Sequence, residues 1–339
     1  MRRSPLIVSI LAAGLGCRNG DAPRTAAPVG SGAGTVVDAQ DVHMPNVTET
    51  NKLQPRRDGR FVAITPGAVA WVSKQGIERW SLGDGKARPA VASVDRVLAL
   101  GRDGDGVAVV VGDGISTARL GAIGANATAL TDVTPPPRLW PGIRFVGLTA
   151  ANVFVADAGS LDVFDRATGE RLHREAFAAD ELATCTPVAD GVVFYQAGTI
   201  VRLGPGATRA TYQDSGLSLH YAAGADRDHL WATSASSVSL VSLASGQAKV
   251  ERTVAIPGVY HLASVDGDAA VLSVAMKAGA WDMLTVTVVG TDGAIRWTKA
   301  LPAPKRQFAE VAGGSGHVAV VLDGTLHVFK AADGAAVTP

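Results

Sequence analysis

Gly159-Ser-Leu-Asp-Val-Phe-Asp-Arg-Ala-Thr-Gly169 returns near the far end of the chain as Gly324-Thr-Leu-His-Val-Phe-Lys-Ala-Ala-Asp-Gly334, with the same length and register. Each copy reads as a glycine turn, a strand with alternating apolar positions (Leu161 and Val163; Leu326 and Val328) and a second turn closed by glycine. Weaker copies surround the two clear ones. Their closing glycines stand at Gly85, Gly124, Gly169, Gly206, Gly246, Gly293 and Gly334, with gaps of 37 to 47 residues. A period of about 40–45 residues that contains only short strands is the spacing of a four-stranded propeller blade. Seven glycines therefore predict an all-β chain, a β-propeller of seven blades with four antiparallel strands each.

Helical repeats of similar period need long amphipathic segments. The apolar runs here are short and rich in valine, as in Val107-Ala-Val-Val-Val111, Val192-Val-Phe-Tyr195 and Val318-Ala-Val-Val-Leu322. Four to six such residues bounded by Gly, Asp or Asn form a strand, whereas a helix needs ten or more. The one helix-permissive stretch, 174–183, reads as a single turn in a loop. Closing the ring also removes the exposed edges that so many strands would otherwise present.

The first residues do not belong to the repeats. Met1-Arg-Arg-Ser4 is a short basic start, residues 5–15 are largely apolar, and Gly14-Leu-Gly-Cys17 sets small residues before a cysteine. Eleven apolar residues are too few to span a bilayer, and the arrangement is that of a secretory signal. It resembles a bacterial lipoprotein signal, although the leucine stands two rather than three positions before the cysteine. The resemblance implies that Cys17 is the lipidated first residue of the mature chain. Cleavage without lipidation and a retained anchor are the alternatives. The domain reading is a signal over 1–17, a flexible tether over 18–55 and a propeller over 56–339. The tether contains one short strand, Thr35-Val-Val-Asp-Ala39, that one terminus could lend to the other to close the ring.

Of the two cysteines, Cys17 and Cys185, the second reads as a small buried hydrophobe. A disulfide between them is the other option in an oxidising compartment. Thirty-one basic and thirty-one acidic residues cancel, and they are interspersed without a basic stripe. Nucleic-acid binding therefore lacks its electrostatic footprint.

The phrase Gly-x-Leu-x-Val-Phe-Asp-x-x-Thr-Gly is similar to the repeat of quinoprotein-like β-propellers, the pyrroloquinoline-quinone type. In that family a tryptophan four residues after the turn glycine docks between blades. Trp297 keeps this place after Gly293, while His173, Val250 and Thr338 replace it elsewhere. The family's dehydrogenases need a calcium site, a catalytic carboxylate and, in some, adjacent cysteines. This chain has no adjacent cysteines. Its Asp103, Asp105, Asp266 and Asp268 read as turn residues whose side chains accept from their own backbone. Gly313-Gly-Ser-Gly-His317 reads as a hairpin turn and not as a nucleophile elbow. No catalytic residue, metal ligand or cofactor is assigned.

His220 and His261 are separated by one period, and Arg144 and Glu310 fall near the equivalent place in other units. Were that position to face the channel, the four would form a polar binding arc; polar residues in a wet channel are the plainer account. These features predict a non-enzymatic, monomeric envelope lipoprotein whose propeller is a scaffold for other cell-envelope proteins. It would touch the membrane only through its N-terminal lipid. Arg18, in place of the aspartate that retains lipoproteins at the inner membrane, leans the site toward the outer membrane. A small-ligand-binding propeller is the alternative, and a degenerate quinoprotein dehydrogenase a third reading.

Overall fold

The structure is a computed structural model that describes residues 62–337, apart from 74–75, 92–95, 104, 113–117, 125, 128, 133–144, 150, 157–158, 177–184, 189–190, 197–198, 215–221, 235, 245 and 304–308. The chain divides into two units, Met1–Asp41 and Val42–Pro339, and every described residue belongs to the second. The signal, Cys17, the tether and the strand expected at 35–39 lie outside the described residues.

Seven antiparallel sheets follow one another along the chain, at 62–91, 96–132, 145–176, 186–214, 222–255, 259–302 and 309–336. Within each, strands pair in sequence order. The innermost strands are Val62–Ile64, Arg96–Asp103, Phe145–Leu148, Thr186–Val188, Ala222–Gly224, Val259–Val265 and Ala309–Gly314. Those of the first and seventh blades adjoin, so the ring of seven blades is closed.

The valine runs explain how blades hold one another. Successive residues on a strand point to opposite faces, and a blade inside a ring buries both. In blade 2, Val107, Val109 and Val111 pack with Ala63, Ala70 and Ile77 of blade 1, while Ala108 and Val110 pack with Val146, Val153 and Phe164 of blade 3. The same division produces one apolar cluster for each neighbouring pair of blades. The last joins Val69, Trp71 and Trp80 of blade 1 to Ala319, Val321 and Val328 of blade 7. A two-sided core is why these strands read as continuous apolar runs without hydrophobic–polar alternation.

All seven closing glycines stand where the repeat predicts, between the third and fourth strand positions of a blade. Six have left-handed φ values from 63° to 82°, a region that costs a residue with a side chain free energy. Gly124 does not share it. The turns at Gly85, Gly169 and Gly334 are built alike: the glycine N–H bonds the carbonyl four residues back, at 2.9–3.1 Å.

Blade 7 contains three full strands among the described residues. Its fourth position is begun by its own C-terminal residues, where Ala336 bridges Phe329 and the Val337 N–H reaches the Val328 carbonyl at 2.9 Å. Residues 174–176 of the helix-permissive stretch close an outer strand, Arg171–Ala176. That strand's alternating exposure reflects one face turned to solvent, and tertiary pairing overrides local helix propensity there. The outer strands of blades 4 and 5 also pair in parallel at Gln213–Gln247 and Asp214–Ala248. Trp297, in the outer strand of blade 6, donates its indole N–H to the Ala331 carbonyl of blade 7 at 2.7 Å. Its ring lies 5.9 Å from that of Phe329.

Candidate functional site

Because strands run alternately up and down a blade, the turns after the first and third strands share one end of the ring. Each of the seven interfaces carries a polar bond at that end. Buried Arg79 of blade 1 reaches the Gly124 carbonyl at 3.2 Å and the Ala127 carbonyl in blade 2. Arg166 of blade 3 pairs with Asp103 of blade 2 at 2.7 Å. The Gly206 N–H of blade 4 donates to the Asn152 side chain of blade 3 at 3.2 Å, and Arg202 of blade 4 donates to the Arg227 carbonyl of blade 5. Trp231 of blade 5 donates to the Gly267 carbonyl of blade 6 at 2.8 Å. Asp266 of blade 6 accepts from the Ser315 and Gly316 N–H groups of blade 7 at 3.1 and 2.5 Å. The Ser315 hydroxyl then closes the circle on the Thr65 carbonyl of blade 1 at 3.3 Å.

These bonds correct one expectation. Asp103, Asp266 and Asp268 stand at turns, but their carboxylates bond groups beyond their own turn. Asp103 and Asp266 link blades, and Asp268 braces the next turn of its own blade through the Thr291 N–H at 3.2 Å and Arg296 at 3.6 Å. Own-turn capping is done by other carboxylates. Asp165 accepts from the Thr168 and Ala167 N–H groups and the Thr168 hydroxyl at 2.8–3.0 Å, and the Thr168 and Ala167 bonds hold its carboxyl below the ordinary range. Burial alone would raise the Asp226 carboxyl; the His229 ring, 2.9 Å away, and the N–H groups of Asp228 and His229 outweigh burial and lower it. Burial, with the positive charge of Arg88 second, lowers the pKa of Arg79. Buried Arg79 and Arg202 were not singled out in the sequence. Their signal is a basic residue at the fourth position of the third strand, Gly76–Ser81 in one blade and Thr199–Leu203 in the other, followed in each by a large apolar residue, Trp80 or Leu203.

All seven innermost strands border a central cavity of about 870 Å³. Its wall is built of small and aliphatic residues such as Gly101, Gly147, Ala263 and Ala312, with Leu100 and Val146 among the larger ones. Among the described residues, the charged ones that line it, Arg102, Asp103, Arg166, Asp226 and Asp266, stand at the stapled end. Among the described residues no group of His, Cys, Asp and Glu is arranged to hold a metal ion.

Two members of the expected binding arc, Arg144 and His220, lie outside the described residues. The other two take matching places: His261 pairs with Leu272 and Glu310 with Val321, each five residues before its blade's first turn. Glu310 is buried at 4% exposure and His261 is half-buried. Neither borders the central cavity, whose lining on these two strands begins further along, at Ala263 and Ala312.

Cys185 packs beside the cluster between blades 3 and 4, and burial pushes its thiol up to about 12. The thiol of this half-buried residue then stays protonated near neutral pH, and the thiolate is the reactive form. Iodoacetamide is expected to leave Cys185 unmodified in the folded protein and to alkylate it in denaturant, as read by peptide mass. Labelling of Cys185 in the native state would contradict this burial.

The sequence matches no family model and no curated protein. Solved structures resemble it in fold. Hsv2 from Kluyveromyces lactis superposes with a TM-score of 0.56 at 12% identity, over 79% of this chain and 91% of that one. The WD40 repeats of RRP9 give 0.54 at 12% identity, over 80% and 89%. BamB from Moraxella catarrhalis gives a looser 0.47 at 15% identity, over 81% and 85%. Hsv2 and the RRP9 repeats are β-propellers, and at their identities the likeness is one of fold.

Proposed function

We propose that this chain is a non-enzymatic, lipid-anchored envelope protein whose propeller is a rigid scaffold for other proteins. The observation that carries the reading is the closed circuit of inter-blade bonds. Carboxylates and arginines that would otherwise be candidates for chemistry at the stapled end tie one blade to the next, from Arg79 to the Thr65 carbonyl. A frame held this way presents its turns at fixed positions, which lowers the ordering cost of docking a partner. The basic, apolar, small-residue start ending at Cys17 supports export and lipidation, and the quinoprotein-like repeat with the docked Trp297 supports kinship with envelope propellers. The charged mouth of the channel favours a second reading, binding of a small polar ligand.

Native mass spectrometry of the full-length protein, gently extracted from its own membrane, tests the main reading. An acylated mass carrying a second polypeptide is the expected result. An acylated mass with only a bound small molecule would overturn the scaffold, and an unacylated mass would overturn the anchor. Cys17→Ser is expected to move the protein from the membrane fraction to the aqueous fraction while leaving its thermal unfolding unchanged.

A further inference from the structure

One hairpin outgrows its blade. The second and third strands of blade 6, Asp268–Lys277 and Ala280–Val289, are longer than any other described strand of the ring. They run past both of their flanking strands. Pairing with the inner strand ends at Val259–Ser273, followed by one bond from the Val274 N–H to the Gly258 carbonyl at 2.8 Å, and pairing with the outer strand ends at Met283–Pro302. Residues 275–282 are therefore a two-stranded ribbon that projects roughly 10 Å, three residues at about 3.4 Å each. Ala278 and Gly279, with φ values of 49° and 79°, close it in a two-residue turn.

The ribbon is apolar where an exposed hairpin is ordinarily polar. Its tip, 278–280, is Ala-Gly-Ala, all exposed. Below the tip Met276 pairs with Trp281, both half-buried, and Met283 is 44% exposed. The Trp281 ring stands at 75° to that of Tyr260, with centroids 4.7 Å apart, which braces it against the blade. The ribbon carries one charge of each sign, Lys277 beside the tip and Asp282, the extra residue of a bulge between the Met276–Trp281 and Ala275–Met283 pairs. Among the described residues, the matching turns of blades 5 and 7 are polar or glycine, with Ser234 and Ser236 in one and Asp323 and Gly324 in the other.

The place of the ribbon says what it meets. First strands begin, and second strands turn into third strands, at the end of the ring opposite the staples. The ribbon thus projects from the end at which the chain enters blade 1 at Val62, and residues 18–61 join that point to Cys17. On the lipid-anchor reading, on which this inference rests, the bilayer that holds Cys17 is tethered to the entry end, and a tethered contact needs little affinity of its own. The side chains suit such a surface. Tryptophan and tyrosine concentrate at the membrane–water interface, and a lysine stem lies along apolar material while its ammonium reaches the phosphates. Asp282, set back from the tip, stays at the level of water. The open backbone edges of a two-stranded ribbon keep it out of the deep hydrocarbon.

We infer that the tip of the blade 6 hairpin, with Trp281 as its anchor, is a second membrane contact that seats the entry end of the propeller on the lipid surface. The stapled end is then turned away from the bilayer, toward partners.

The test uses the full-length protein coupled through the Cys17 thiol to a maleimide phospholipid in vesicles of phosphatidylethanolamine and phosphatidylglycerol. This supplies the lipid whether or not the cell does, which keeps the result separate from that of native acylation. Bromine placed near the headgroup end of the acyl chains quenches a tryptophan that touches them, and residues 1–61 contain no tryptophan. Emission is expected to fall in brominated relative to plain vesicles. Trp281→Phe is expected to abolish the fall, and so is Ala280→Asp, which keeps Trp281 and puts a carboxylate at the exposed tip. High salt is expected to leave it in place, because the two charges of the ribbon cancel. Equal emission in the two kinds of vesicle would overturn the inference and leave the anchor standing. Quenching that persists in Trp281→Phe would overturn it by assigning the contact to another part of the ring. Absence of quenching, together with loss of a co-extracted polypeptide from Ala280→Asp, would give the hairpin to a protein partner instead. Quenching that requires Trp281, beside an unacylated native mass, would keep the contact and remove the anchor.

Discussion

Trp297→Ala is expected to destabilise the propeller by about 3–5 kcal/mol, the usual cost of emptying a buried aromatic site, and to loosen blade 7 ahead of the rest of the ring. Trp297 is 8% exposed, and its ring forms part of the cluster between blades 6 and 7 with Phe329, Val320 and Leu322. It lies so close to the last turn that a Cβ on Gly334 would meet the indole at 2.8 Å. Removing it empties that site and leaves the Ala331 carbonyl without its 2.7 Å donor. Blade 7 has three full strands among the described residues and depends on its neighbours more than the others do. Hydrogen exchange is therefore expected to rise over 309–336 at denaturant concentrations where blades 2 to 4 remain protected. Trp297→Phe keeps most of the buried ring and is expected to lose about 1–2 kcal/mol, largely the hydrogen bond. Uniform exchange throughout the ring in Trp297→Ala would show that the indole contributes to global stability and has no special hold on blade 7.

The same residue shows what in this fold was legible beforehand. Trp297 follows Gly293 by four residues, a spacing visible in the sequence, and it docks between blades. Turn glycines and two-sided valine runs were legible for the same reason: backbone conformation at Gly169 and burial of Val107–Val111 are dictated within a few residues. Bonds between blades were not. Asp266 and Ser315 are 49 residues apart, Arg166 and Asp103 63, and nothing in an Asp-Gly turn says whether its carboxylate caps its own backbone or reaches the next blade's. A strand was expected to pass from one terminus to the other's blade; the stretch read as that strand, 35–39, lies outside the described residues, among which Ala336 and Val337 begin the fourth position of blade 7. Regarding the binding arc, periodicity brought His261 and Glu310 to matching positions, but a repeat fixes equivalence only. The channel is lined by consecutive residues of each inner strand and its first turn, and the carboxylates of the charged mouth, Asp103, Asp226 and Asp266, share that first-turn position, the last two 40 residues apart.

Gly313→Ala is expected to cost about 3 kcal/mol although it adds one methyl group. Gly313 lies on the innermost strand of blade 7, and a Cβ there would meet the Ser264 carbonyl oxygen at 2.2 Å and its carbon at 2.7 Å. Both are backbone atoms of the neighbouring inner strand, Val259–Val265, which is held on its other side by four residue pairs from Leu262–Val271 to Val265–Asp268. No side-chain rotation relieves the clash. The two inner strands have to separate, and that separation also pulls Asp266 from the Ser315 and Gly316 N–H groups, since Asp266 and Ser315 each sit two residues beyond the Ser264–Gly313 contact. Overpacking without an adjustable neighbour stands at the upper end of the usual 1–3 kcal/mol. Gly83→Ala is the control. It sits in a turn with nothing within 4 Å of the added atom, and the substitution is expected to be neutral or slightly stabilising because it restricts the unfolded chain. Chemical denaturation of the two variants beside the parent separates steric cost from loss of glycine as such. If Gly313→Ala unfolds at the parent's midpoint, the inner strands of blades 6 and 7 have room to part, and the channel is wider there than its walls now indicate.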